Sequence, residues 1–178
     1  MDQPAQADSA LIPAWIDGQL QPADKIEVHR RGNRHVAVSV FVLVGDAVLI
    51  QRRALGKYHT PGLWANSCCT HPRWGEAPDA CALRRVQQEL GLTLSSVTHA
   101  GQIEYRADVG NGMVEHELVD IYTARLVHRP ELAPDPAEVM EVRWLTFDTL
   151  VAEVASDPAR FTPWLRIYLS DHRALVTG

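Results

Sequence analysis

The sequence predicts one mixed α/β domain, and three features carry that prediction. A β-branched run, His35 to Val44, meets a tight turn at Gly45-Asp46 and returns as a second apolar run, Ala47 to Arg52, the pattern of a buried hairpin. Asp79 to Leu90 places Leu83, Val86 and Leu90 on one stripe and stops at Gly91, the pattern of an amphipathic helix. With 178 residues, 46% hydrophobic and 22% charged, the chain can bury its own core without disulfide staples.

The remaining elements follow in chain order. Residues 1–10, rich in Ala, Asp and Gln, read as a flexible N-terminal segment, and residues 11–178 as the single domain. Residues 54–64 hold Gly56, Pro61 and Gly62 and read as loop, and Trp64 to His71 as a short extended piece. Val97 to Arg106 and Met113 to Leu126 are strands joined by a turn-rich hairpin loop, Asp108 to Gly112. Val139 to Leu145 is a further strand, and Phe147 to Ala155 and Trp164 to His172 are helices flanking the Pro158 to Pro163 segment. Pattern alone does not order the strands.

Charge and cysteine content narrow the class. Lys and Arg number 17 against 22 Asp and Glu, a net charge of −5, so a broad nucleic-acid surface is not expected, while a local basic pocket for a phosphate is still allowed. No run of apolar residues is long enough to span a membrane, and Met1 to Ala10 lacks a secretory h-region. Three cysteines, Cys68, Cys69 and Cys81, do not make a disulfide framework, so the expected setting is the reducing cytoplasm.

Several residues suggest chemistry. His29, His35 and His71 are expected near strand edges or loops, and the Arg30 to Arg34 spacer can turn to bring His29 and His35 together. Cys69 and His71, two apart in an extended chain, point to one side. Glu115 and Glu117 share a strand face, roughly 7 Å apart, and like charges so placed need a cation between them or a proton on one. Such pairs are most often a solvated strand face, but three His with two Glu would suit Zn, Mn, Fe or Mg without choosing between them. Cys81 reads as an inert core thiol. Arg52, Arg53 and Lys57 precede this region, and Arg85 and Glu89 share a helix face, either as an ordinary ion pair or as a phosphate-binding cation beside a metal-binding carboxylate.

Taken together, Pro61-Gly-Leu-Trp64, Asn66-Ser-Cys-Cys-Thr-His-Pro72, Gly75-Glu76, Arg84-Arg85, Glu89-Leu-Gly91, Glu104-Tyr-Arg-Ala107, Glu115-His-Glu117 and Phe161-Thr-Pro-Trp164 resemble, in order and spacing, the type I isopentenyl-diphosphate delta-isomerases. The resemblance runs from about Ile26 to Leu165. It implies a Nudix-like α/β/α sandwich with a mixed central sheet, and conversion of isopentenyl diphosphate to dimethylallyl diphosphate through a tertiary carbocation. By motif, Cys69 and Glu117 match the two proton-transfer residues, Tyr105 a tyrosine bonded to the glutamate, and Trp164 the aromatic over the cation. His29, His35, His71, Glu115 and Glu117 match the ligands of one divalent metal (Mn, Zn or Mg), and Glu89 the ligand of a Mg ion bridging to the diphosphate. Lys25, Arg53, Lys57 and Arg85 match diphosphate-binding positions. The implied partner is the small-molecule substrate, with no nucleic acid and no membrane, and the implied form is a monomer. Cys68 and Val36 depart from the family's usual residues, and neither is given a catalytic role.

A diphosphate hydrolase of Nudix type is the rival enzyme. Fixing its box on Gly91 places Thr70 at the first Gly, Arg85 at a Glu, and Gln88-Glu89 at the Glu-Glu pair, which removes carboxylates a hydrolase needs for its metal ions. A non-catalytic binding module of the same fold is the third class, and joint retention of Cys69, Tyr105, Glu117 and Trp164 argues against it.

Overall fold

The chain enters the fold as a hairpin. The structure, a computed structural model, describes residues 11–177, and the proposed flexible segment at residues 1–10 lies outside them. Strand β1 (Leu11–Ile16) pairs with β2 (Gln19–Asp24) around Asp17-Gly18, whose positive φ values of 50° and 79° suit a two-residue turn. Helix α1 (Lys25–Arg31) follows at once, with the Asp24 side chain accepting from the Glu27 backbone N–H and Gly32 closing the end at φ 63°. The expectation that His29 lies in a loop or strand edge is therefore corrected: it sits in the last turn of α1. The signal was present as Asp24, Glu27 three residues on, and Gly32.

The next strands are β3 (Arg34–Val44), β4 (Ala47–Arg53), β5 (Trp64–Ala65) and β6 (Cys68–Thr70), then helix α2 (Pro78–Leu90). The long hairpin β7 (Thr98–Gly110) and β8 (Met113–Leu126) turns through Asn111-Gly112, at φ 55° and 70°. The expected five-residue loop is thus a two-residue turn, because Asp108 and Gly110 stay in the ladder through a bulge. Strand β9 (Val139–Thr146) leads to α3 (Phe147–Ser156), a short 3₁₀ turn (Pro158–Arg160), α4 (Pro163–Asp171) and α5 (Arg173–Thr177).

Among the described residues, all nine strands join one mixed sheet with β3 at its centre, parallel to β8 and antiparallel to β1, β4 and β6. Strand periodicity sends Ala37, Phe41 and Leu43 into one core with α3, α4 and α5, and Val38, Val40 and Val42 into the other with α2. Both faces of β3 are buried, which is why it reads as a continuous apolar run. On α2, Val86 and Leu90 are fully buried, each contributing about 1.5–3 kcal/mol, while Leu83 packs at the rim. Among the described residues, no helix is long and apolar enough to cross a membrane.

Gly91 lets the chain return over the end of α2. It lies at φ +64°, and an added Cβ would meet the Ala133 carbonyl at 2.6 Å. Ala133 and Asp135 donate backbone N–H bonds to the Leu90 and Glu89 carbonyls, which carries Glu138 back to the site. We expect Gly91→Ala to destabilise the fold by ~2 kcal/mol or more, from left-handed strain plus that clash. Urea unfolding checks this, and an unchanged midpoint would contradict it.

Candidate active site

Sheet register assembles the site from distant segments. Parallel pairing sets His35 of β3 against Glu117 of β8, antiparallel pairing sets Tyr105 of β7 against the same Glu117, and β6 sets Cys69 against Ser39. Odd-numbered residues of β3 and β8 face the helices α3 to α5, so His35, Ser39, Glu115 and Glu117 all fall on that side. Neither glutamate is on a solvated face: Glu115 is 2% exposed and Glu117 0%. Helix α1 brings His29 over them, with ring centroids 4.6 Å from His35 and 5.0 Å from His71.

Tyr105 links the two carboxylates. Its hydroxyl lies 2.8 Å from Glu115 Oε2 and 2.7 Å from Glu117 Oε2. One hydroxyl proton cannot serve two carboxylates, so one of the acids carries a proton of its own and donates it to the tyrosine oxygen. Burial, together with the Glu117 charge, pushes the Glu115 carboxyl well up. Burial also opposes ionisation of Glu117, but the adjoining His35 and His71 imidazoles outweigh it and hold that carboxyl well down.

The cluster fits a divalent ion. Ligand atoms of His29, His35, His71 and Glu117 lie within 4.8 Å of one another, and a second group, His29, His59 and Glu115, meets the same limit. His35 Nδ1 is fixed 2.8 Å from the Asn33 carbonyl, and its Nε2 is buried 3.5 Å from Glu117 without a hydrogen bond. An unsatisfied buried group of this kind costs about 1–3 kcal/mol, and a bound cation would remove that cost. Donors of imidazole and carboxylate suit Zn, Mn or Mg, and they do not select among them.

Beside the cluster is a small inner cavity lined by Cys69, Glu115, Trp164, His59, Glu89 and cationic side chains. Glu117 and Tyr105 lie behind its lining. Trp164 is 1% exposed, and its indole N–H donates to Asn66 Oδ1 at 3.2 Å. Asn66 in turn donates to the Val40 and Cys68 carbonyls, so one amide orients both the indole and β6. Cys69 is half-buried and accepts from Ser39 Oγ at 3.3 Å, and Ser39 bonds Tyr168 at 2.8 Å. Burial, then the charges of Glu117 and Glu115, push the Cys69 thiol well up, so it holds its proton. Cys68 points to the other face, in the core with Cys81, where burial raises both thiols.

A cleft of about 740 Å³ opens outward from here, lined by Lys25, Lys57, Tyr58, Arg85 and apolar residues such as Leu55 and Met140. Lys25 and Lys57 reach both cavities, whereas Arg53 reaches only the inner one, its guanidinium 5.3 Å from the Trp164 ring. Arg85 bonds Glu89 at 2.7 Å and Glu138 at 3.2 Å, and Lys57 pairs with Glu138. Glu89 also accepts from Gln51 at 2.8 Å. Arg85 and Glu89 form the ion pair of the first sequence reading, and both line the inner cavity. Sequence reasoning missed His59, Ser39, Gln51, Glu138 and Tyr168. They lie on loops, core strands or helix α4, where spacing gives no sign of a site.

The comparisons with known proteins agree with this geometry. The NUDIX domain family matches residues 33–165. Two solved structures superpose well at low identity: a MutT NUDIX hydrolase from Burkholderia pseudomallei at TM-score 0.61 and 21% identity, covering 78% of this chain and 98% of that one, and DR0079 from Deinococcus radiodurans at 0.64 and 16%, covering 83% and 89%. These show the fold alone. An isopentenyl-diphosphate Delta-isomerase from Cereibacter sphaeroides is 59% identical over 168 residues, 94% of this chain and 95% of that protein. One from Rhodobacter capsulatus is 55% identical over 166 residues, 93% and 94% of the two chains. The chain belongs to the isopentenyl-diphosphate Delta-isomerase family. In this isomerase-family chain Arg84 and Glu76, which the hydrolase box shares, pair through two bonds of 2.6 and 2.7 Å, whereas Arg85 and Gln88 stand where that box has carboxylates.

Proposed function

We infer that the chain moves the double bond of isopentenyl diphosphate to give dimethylallyl diphosphate. The observation that supports this is one cavity lined by the Cys69 thiol, the Glu115 carboxylate and the buried Trp164 indole, with the Tyr105 hydroxyl joining Glu115 to Glu117. The alkene is a poor base. A proton adds to its terminal methylene, the positive charge falls on the branching carbon, and a proton then leaves the adjacent chain carbon. Cys69 and Glu117 are the proposed proton-transfer pair, one giving and the other taking, with roles exchanged in the reverse direction. Tyr105 is placed to connect Glu117 to the cavity through Glu115. Trp164 is the proposed π face for the cation, which has to be kept from water that would trap it.

The proposed metal ligands are His29, His35, His71, Glu115 and Glu117, for Mn, Zn or Mg. A bound ion would keep both carboxylates ionised and set their acidity. Glu89 is the proposed ligand of a Mg that accompanies the diphosphate, and Lys25, Arg53, Lys57 and Arg85 the groups that receive its charge. All these groups come from one chain, so the proposed working unit is a monomer. A reducing cytoplasm would keep the Cys69 thiol free.

Incubation with isopentenyl diphosphate and Mg in deuterated water should put deuterium into dimethylallyl diphosphate. Release of phosphate or pyrophosphate without isomer would overturn the reading. Substrate capture should also depend on pH. Burial, with the charges of Lys57 and Arg85, lowers the Lys25 ammonium to about 8. Above that pH Lys25 turns neutral and loses its pull on the anion, so kcat/KM should fall. Arg stays charged there, so Lys25→Arg should remove that alkaline limb. Persistence of the limb in the variant would assign it to another group.

A further inference from the structure

We propose that His59 is a further donor to the ion of the His/Glu cluster, giving this chain four imidazoles and two carboxylates around it. The proposal rests on reading that cluster as a divalent-metal site, and adds a residue to it. His59 lies on the loop between β4 and β5 and is 2% exposed. Its ring stacks on His29 at 5.5 Å with the planes 24° apart, and meets Trp164 edge-on at 5.8 Å. Arg53 pins the loop by donating to the His59 carbonyl at 3.1 Å.

Within each group the donor separations suit an ion, while the six donors do not all lie within 4.8 Å of one another in the metal-free chain. Octahedral bonds of ~2.1 Å put adjacent donors ~3.0 Å and opposite donors ~4.2 Å apart. His59 Nε2 lies 3.3 Å from Glu115 Oε1, beside 2.9 Å for His71 and 3.5 Å for His35 to Glu117 Oε1. His29 belongs to both ligand groups. Its Nδ1 is fixed 2.7 Å from the Lys25 carbonyl, so Nε2, 3.5 Å from the Tyr58 hydroxyl, is the one donor left to face an ion. Two ions cannot share it, so a single ion that draws the two groups together would use all six residues. His59 Nδ1 lies 3.0 Å from the Thr60 hydroxyl, which as acceptor leaves the Nε2 lone pair facing the cluster. A sphere filled by protein donors keeps no open position for water, as a structural or charge-setting ion requires and a hydrolytic one does not allow.

Loading with cobalt(II) gives a readout independent of turnover. Proton NMR then shows one hyperfine-shifted, exchangeable imidazole N–H per ligating histidine that retains such a proton. The wild-type protein should show four, and His59→Gln three, with cobalt affinity lowered ~10–100-fold in chelator competition. Three signals in the wild type, or weaker affinity with an unchanged count, would make His59 at most a support for Glu115 and overturn the proposal. Wild-type protein that takes up no cobalt would overturn the cluster reading itself. Circular dichroism checks the fold of the variant, and the wild-type count decides the question even if His59→Gln does not fold.

Discussion

Cys69→Ala should fold, hold its metal and lose isomerase turnover by ~10³-fold or more, the scale of a lost proton-transfer group. The thiol is half-buried at the cavity and is not a member of either His/Glu ligand group. Its loss leaves Ser39 still bonded to Tyr168 at 2.8 Å, so no buried polar group is orphaned and the stability change should stay within ~1 kcal/mol. The defect should lie in kcat, because the diphosphate-binding cations are untouched. Turnover, metal content and thermal unfolding of the purified variant test all three statements. Near-normal turnover would remove Cys69 from the proton transfer, and loss of metal would show that the cavity itself had collapsed.

Glu117→Gln should lose both activity and metal. The carboxylate faces His71 at 2.9 Å, His35 at 3.5 Å and Tyr105 at 2.7 Å, and its negative charge is what makes a site of neutral imidazoles attractive to a dication. The amide keeps the volume but not the charge, and a neutral amide is a far weaker ligand for a dication than a carboxylate. Metal affinity should fall at least ~10–100-fold. Excess Mn separates the two roles: it should restore occupancy without restoring turnover. Recovery of full turnover at saturating Mn would leave Glu117 a ligand only.

Local pattern was sufficient for the elements with strong periodicity. The apolar run of β3, the stripe of α2 and the i, i+2 spacing of Glu115 and Glu117 each follow from backbone geometry, which fixes which side chains share a face. The N-terminal hairpin and α1 were missed because β2 is almost wholly exposed and β1 carries Pro13, so hydrophobic alternation is absent. Their true markers were the Asp17-Gly18 turn and the Asp24 cap. Misplacing α1 also misplaced His29, although its expected meeting with His35 stands, at 4.6 Å.

By itself the sequence determined that Glu115 and Glu117 point the same way, that Cys69 and Cys68 point opposite ways, and that the motif order is that of the isomerase family. It did not determine that the glutamates are buried. That came from the parallel pairing of β3 with β8, which sets His35 against Glu117 across more than eighty intervening positions. Nor did it mark His59, whose loop has no period to read and is held in place by Arg53 and the aromatic rings around it. The physical reason is the same in both cases. Side-chain direction is set by the covalent backbone within a few residues, whereas burial and encounter are set by which strands and loops pack to cover both faces of the sheet.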